Sequence, residues 1–162
     1  MAKKKAVEKG LNIDNILFNC RDILRAARNS GSFFEKRDMM LTLIFLRFIG
    51  EKYEDGVENL RKVLIEQNLD PDDENIRAAF FEDATFADGT YNLSKEARWS
   101  TIINTPAPEL NVALDTALHS IASESKDLKG CFIEGTFTTR NLAPNDIKKL
   151  VDEVNNISHK VF

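Results

Sequence analysis

Apolar residues along this chain recur mainly at three- and four-residue steps, the spacing that lines one face of an α-helix. Ile13, Ile16, Leu17, Cys20, Leu24 and Ala27 form the first such stripe. Asp14 near its start and Arg25 and Arg28 near its end follow the order that a helix dipole favours. Asn29-Ser30-Gly31-Ser32 stops the stripe, with Gly31 free to take a left-handed cap conformation. A second helix is predicted from about Glu35 to Tyr53, and its middle, MMLTLIFLRFIG, is apolar on nearly every face. Such a helix belongs at the centre of a bundle. Val57, Leu60, Val63 and Leu64 restore a one-sided pattern, so the helix either continues past Gly56 or restarts there.

Asp70-Pro71-Asp72-Asp73-Glu74 combines a capping Asp, a Pro at the first helical position and acids in the first turn. It predicts a short helix reaching about Phe81. Thr85 to Leu93, with Asp88-Gly89 inside, reads as a loop or small hairpin. Ser94 is expected to cap a short helix through Ile103 that carries Trp99. After Pro106 and Pro108 comes an amphipathic helix bearing Leu110, Val112, Ala113, Leu114, Ala117, Leu118 and Ile121. Residues 126–143 look irregular, with one strand expected around Cys131 to Ile133. Pro144 opens a last helix with Ile147, Leu150, Val151, Val154 and Ile157. The expected fold is mainly α: a single helical bundle of six or seven helices with at most a small β-hairpin. Residues 1–10 read as a flexible basic tail and 11–162 as the helical domain.

Composition agrees with a single globular domain. The 162 residues are 43% apolar and 30% charged, with only seven glycines and four prolines, too few for the many tight turns of a β-sandwich. No secretory h-region and no apolar run of membrane-spanning length is present, so the chain reads as cytoplasmic. Cys20 and Cys131 match no metal or redox spacing. The net charge of −4 is uneven: residues 1–62 hold thirteen Lys/Arg and nine Asp/Glu, and residues 63–162 hold nine and seventeen. The first third is therefore mildly basic, compatible with a local phosphate contact.

A search for chemistry finds no catalytic constellation. His119 and His159 have no Cys or second His at ligand spacing and read as structural or exposed. No Gly-rich phosphate loop and no nucleophile elbow occurs. The carboxylates at Asp70, Asp72, Asp73 and Glu74 are explained by helix capping. Two features have binding content. Arg21, Arg25 and Arg28 follow i, i+4, i+7 spacing and form a basic strip on the first helix, with Lys36 and Arg37 just past the turn. Phosphates need cations but no particular geometry, so these five are candidate DNA contacts; the bland alternative is a solvated face with local pairs such as Asp22 with Arg25. Trp99 either packs or stacks on a base; the apolar positions Ile102 and Ile103 favour packing.

Several strings then point further. Ile16-Leu17-Phe18 through Asp22-Ile23-Leu24-Arg25, and Leu43-Ile44-Phe45-Leu46-Arg47-Phe48-Ile49 with Glu51-Lys52-Tyr53-Glu54, resemble the opening of the modification subunits of type I restriction–modification systems. Leu93-Ser94-Lys95-Glu96-Ala97-Arg98-Trp99 resembles that family's Pro-Glu-Glu-Ala-Arg-Trp segment, departing from it at Leu93-Ser94-Lys95. Leu114-Asp115-Thr116-Ala117 and Leu128-Lys129-Gly130 resemble the Leu-x-x-Ala helix and Leu-x-Gly turn that follow. Order and approximate spacing agree across residues 11–158.

The resemblance implies the N-terminal domain of an adenine-specific DNA methyltransferase subunit that helps clamp DNA. Its implied partners are DNA, a specificity subunit, a second modification subunit and a motor-nuclease restriction subunit, with no membrane. The parent would use S-adenosylmethionine. The cofactor loop and Asn-Pro-Pro-aromatic motif of the catalytic part are not found here, so this fragment is expected to be non-catalytic and to hold no cofactor or metal. The alternative is a purely protein–protein assembly module without DNA contact.

Overall fold

A computed structural model describes residues 2–82, 92–125 and 128–157 of the chain. Seven α-helices follow one another: α1 (Ala2–Ala26), α2 (Phe33–Glu66), α3 (Glu74–Glu82), α4 (Trp99–Ile103), α5 (Leu110–Glu124), α6 (Thr136–Arg140) and α7 (Pro144–Asn155). Single 3₁₀ turns at Lys95–Ala97 and Ala107–Glu109 lead into α4 and α5. No strand occurs among the described residues, and the segment around Cys131 to Ile133, expected to be extended, is instead a run of turns and bends before α6. The loop or hairpin expected over 85–93 lies outside the described residues except at its last two positions.

Helix α2 is the longest helix among the described residues, but its apolar middle, expected to be buried all round, is buried on one side only: Leu41 is 53% exposed. It runs unbroken through Gly50 and Gly56, and Leu43, Leu46, Ile49, Leu60 and Leu64 are fully buried along it. It packs against α1, α3, α4 and α7. The strongly amphipathic α7 turns Ile147, Leu150, Val151 and Val154 inward and lies along α1. Ile16, Cys20 and Leu24 of α1 join the same core.

Several helix ends differ from expectation for identifiable reasons. Helix α1 begins at Ala2, so the stretch expected to be a flexible tail is helical from residue 2; its Ala, Lys and Glu residues are strong helix formers, with Gly10 the single poor one. It ends at Ala26, and Asn29 (φ 61°) and Gly31 (φ 85°) both take left-handed conformations in the turn that follows. Ser32 then caps α2 in a full capping box: its hydroxyl accepts from the Glu35 N–H at 3.4 Å, and the Glu35 carboxylate accepts from the Ser32 N–H at 2.6 Å. Helix α3 starts later than predicted because the acids divide the work. Asp70 accepts from the Asp72 N–H at 2.9 Å in a preceding turn, and Asp73 accepts from Asn75 and Ile76 at 2.8 and 3.2 Å. Ser94 occupies a cap position but makes no side-chain cap hydrogen bond; its hydroxyl pairs with that of Ser120 at 2.5 Å, tying the 3₁₀ turn to α5.

Candidate nucleic-acid interface

The turn at 27–32 folds α2 back beside the C-terminal half of α1 and leaves a groove of about 500 Å³ between them. Its floor is apolar, from Leu17, Leu24 and Met40. Arg21 and Arg25 border it from α1, Lys36 and Arg37 from α2. Four of the five cations singled out in the sequence therefore converge on one site. The fifth does not: α1 stops at Ala26, so Arg28 has left the helical periodicity that would align it with Arg21 and Arg25, and it does not line the groove. Arg21, Arg25 and Arg37 are exposed and Lys36 is partly so. Arg25 lies 3.9 Å from Asp22, and Arg37 bonds Asp38 at 3.0 and 3.2 Å. Arg21 and Lys36 form no ion pair among the described residues.

Sequence reasoning missed the aromatic side chains at this site. Phe18, Phe33 and Phe34 are 58, 72 and 62% exposed. Phe18 and Phe33 line the groove, Phe33 and Phe34 meet edge to face at 5.8 Å and 78°, and the Arg37 guanidinium lies 5.2 Å from the Phe34 ring centre. The signal was available. Phe18 falls off the Ile16–Cys20–Leu24 face, and Phe33-Phe34 occupies the first turn of α2 beside Lys36-Arg37.

Residues from several of the strings singled out in the sequence also pack in the core, among them Ile16, Leu24, Leu43, Leu46, Ala97 and Trp99. The family model described as HsdM N-terminal domain matches residues 13–154. The chain belongs to that family. It is the N-terminal domain of a type I restriction–modification methyltransferase subunit. A search of curated proteins finds no match.

In this HsdM N-terminal domain the Leu46-Arg47 and Arg98-Trp99 strings pack on one another. Trp99 is 3% exposed, and its indole N–H donates to Asn155 at 2.8 Å, so Trp99 is a core anchor and the base-stacking alternative for it falls. Arg47 forms a nearly buried ion pair with Glu51, and its guanidinium lies 5.8 Å from the Trp99 ring centre. Arg98 donates to the Leu93 carbonyl at 3.1 Å and lies 4.9 Å from the Tyr53 ring centre. Asp115, within the Leu-x-x-Ala string, accepts from the Phe137 and Thr138 N–H groups at 3.0 and 2.8 Å and from the Thr138 hydroxyl at 2.6 Å. Gly130, in the Leu-x-Gly string, has φ 80°, the left-handed turn for which glycine is suited.

The titration shifts of Glu35 and Cys20 have structural causes. The Ser32 backbone N–H, its hydroxyl and then the Arg140 guanidinium hold the Glu35 carboxyl below its ordinary range, the mark of a capping box. Burial, with the Glu153 carboxylate adding, pushes the Cys20 thiol up to about 11, the mark of an inert core thiol. His119 is exposed on α5. Among the described residues no cluster of His, Cys, Asp and Glu suits a metal ion, and no helix is long and apolar enough to cross a membrane.

Proposed function

We propose that this domain clamps duplex DNA by its phosphates through the α1/α2 groove, as the non-catalytic N-terminal part of an adenine methyltransferase subunit. The single observation that carries the reading is the convergence of Arg21, Arg25, Lys36 and Arg37 from two helices on one groove. A strip on one helix is satisfied by water; cations from two elements brought together suit an extended anion. Contacts of this kind fix register and orientation without reading sequence, a task left to the specificity subunit. Methyl transfer from S-adenosylmethionine would belong to the rest of the parent protein, in the cytoplasm. Assembly with the specificity subunit, a second modification subunit and the restriction subunit would use other surface. Ile133 and Val112, 74 and 61% exposed on the side of the 131–135 segment, favour that division.

The test is a salt titration of duplex binding by the parent enzyme carrying Arg21→Ala, Arg25→Ala and Lys36→Ala. Removing one phosphate-bound cation should flatten the slope of log K against log salt by about 0.9, so the triple variant should have a slope shallower by about two to three units. Co-elution with the specificity subunit should be retained. An unchanged affinity and slope would leave the groove as solvated surface and return the domain to a purely protein–protein role.

A further inference from the structure

We infer that the α1/α2 groove accepts unstacked nucleobases as well as phosphates, so that the domain prefers single-stranded or locally opened DNA to intact duplex. The inference rests on the phosphate-contact reading above and adds the ligand's chemistry. Cations alone account for a duplex backbone, whose bases are hidden in the stack. They do not account for Phe18 and Phe33, left 58 and 72% exposed in the groove, or for Phe34, 62% exposed against Phe33. Every base has a π-face, and an aromatic platform inside a cationic channel is the arrangement that holds a single strand without reading its sequence. The most exposed apolar side chains at this site are phenyls, whereas the aliphatic Leu17 and Met40 are half-buried and Leu24 is buried. An acidic protein helix would be gripped as well by exposed leucines; a base would not. Phe33 and Phe34 stand at 78° to one another, so they cannot continue one column of stacked bases and suit bases turned out singly. The guanidinium over Phe34 provides a second flat, cationic surface beside them.

The experiment measures fluorescence anisotropy of the 162-residue chain with three labelled probes of about twelve nucleotides, a length within known single-strand site sizes. They are a thymidine oligomer, an abasic strand with the same phosphates, and a duplex. The thymidine oligomer should bind about 5-fold or more tighter than the abasic strand, and tighter than the duplex. Phe33→Leu with Phe34→Leu keeps apolar bulk at exposed positions, so the fold should survive, as circular dichroism would verify. That variant should bring the thymidine oligomer down to the abasic strand while leaving duplex affinity within about 2-fold. Equal binding of thymidine and abasic strands overturns the inference, and if all three probes still bind with a salt slope, the phosphate-contact reading survives it. Binding by none of the probes overturns both. Displacement of the thymidine oligomer by a Glu-rich amphipathic peptide that itself binds more tightly would assign the groove to a protein and overturn the inference too.

Discussion

Removing the carboxylate of Asp115 should loosen the link between α5 and α6 and cost measurable stability. Helix α6 is five residues long, too short to persist alone, because the first helical turn fixes several residues for a single hydrogen bond. Asp115 supplies from another helix what a capping residue would supply locally, accepting three hydrogen bonds at 2.6–3.0 Å from Phe137 and Thr138. Phe137 is fully buried, so the segment it anchors is held to the core at this point. Loss of an N-cap costs about 0.5–2 kcal/mol, and hydrogen bonds to a charged group contribute about 1.5–3 kcal/mol. Both sites here are partly exposed, which discounts the upper figures. Asp115→Ala should therefore cost about 2 kcal/mol and lower the thermal midpoint by about 4–8 °C for a domain of this size. Asp115→Asn, which keeps one acceptor, should cost about half as much. Urea unfolding followed by far-ultraviolet circular dichroism gives the first number, and hydrogen exchange of the Phe137 and Thr138 amides shows whether the loss is local. A cost below about 0.5 kcal/mol, or unchanged exchange at those two amides, would refute the reasoning.

Three further outcomes concern Gly50 and the two thiols. A Cβ on Gly50 would stand 2.6 Å from Trp99 Cβ and 3.3 Å from the Trp99 nitrogen, atoms near the backbone that cannot swing away. Gly50→Ala gains about 1 kcal/mol of helix propensity, yet overpacking of this kind costs about 1–3 kcal/mol. A net loss of up to about 2 kcal/mol, with a changed Trp99 emission, is expected in a denaturation series; a stabilised variant would show that α2 and α4 are not in such close contact. The two thiols should behave oppositely: exposed Cys131 should alkylate readily in the native protein, and buried Cys20 only as the chain unfolds. The Cys20 thiol is raised from 9.0 to about 11 in the fold, so it contributes stability that is whole below pH 9 and lost as pH rises toward 11. Cys20→Ala should flatten that alkaline limb in unfolding curves taken between those pH values.

Local periodicity made the long elements legible. The stripes of α1, α5 and α7 named most of the residues these helices give the core, though Val112 of the α5 stripe is exposed and the all-round apolar run of α2 is buried on one side only. Pro144 and the 27–32 turn also read correctly. What failed depended on partners distant in sequence. Helix α6 has no cap of its own, so nothing within 126–143 announced it; its cap is Asp115, 22 and 23 residues away in chain. Ser94 looked like a capping serine, but the hydroxyl of Ser120 drew it elsewhere. Arg28 kept the spacing of a strip while the helix beneath it ended two residues earlier. The cations of the groove stood out in the sequence as candidates, but that four of them border one groove was not legible, because it needs α1 and α2 to fold back on each other.

That folding back bears on how the domain works. The strings that mark the family are architectural: Gly50 lies against Trp99, Arg47 and Glu51 pair under it, and Asp115 pins α6. Of the strings, only the first reaches the groove, through Leu17, Phe18, Leu24 and Arg25. The groove is instead fixed by the short link between α1 and α2, where Asn29 and Gly31 reverse the chain and Ser32 and Glu35 close the capping box. Glu35 also pairs with Arg140 of α6, so the link is tied to a helix distant in sequence. The first turn of α2 therefore carries a carboxylate that pairs with α6 and, one and two residues further on, two of the cations that border the groove.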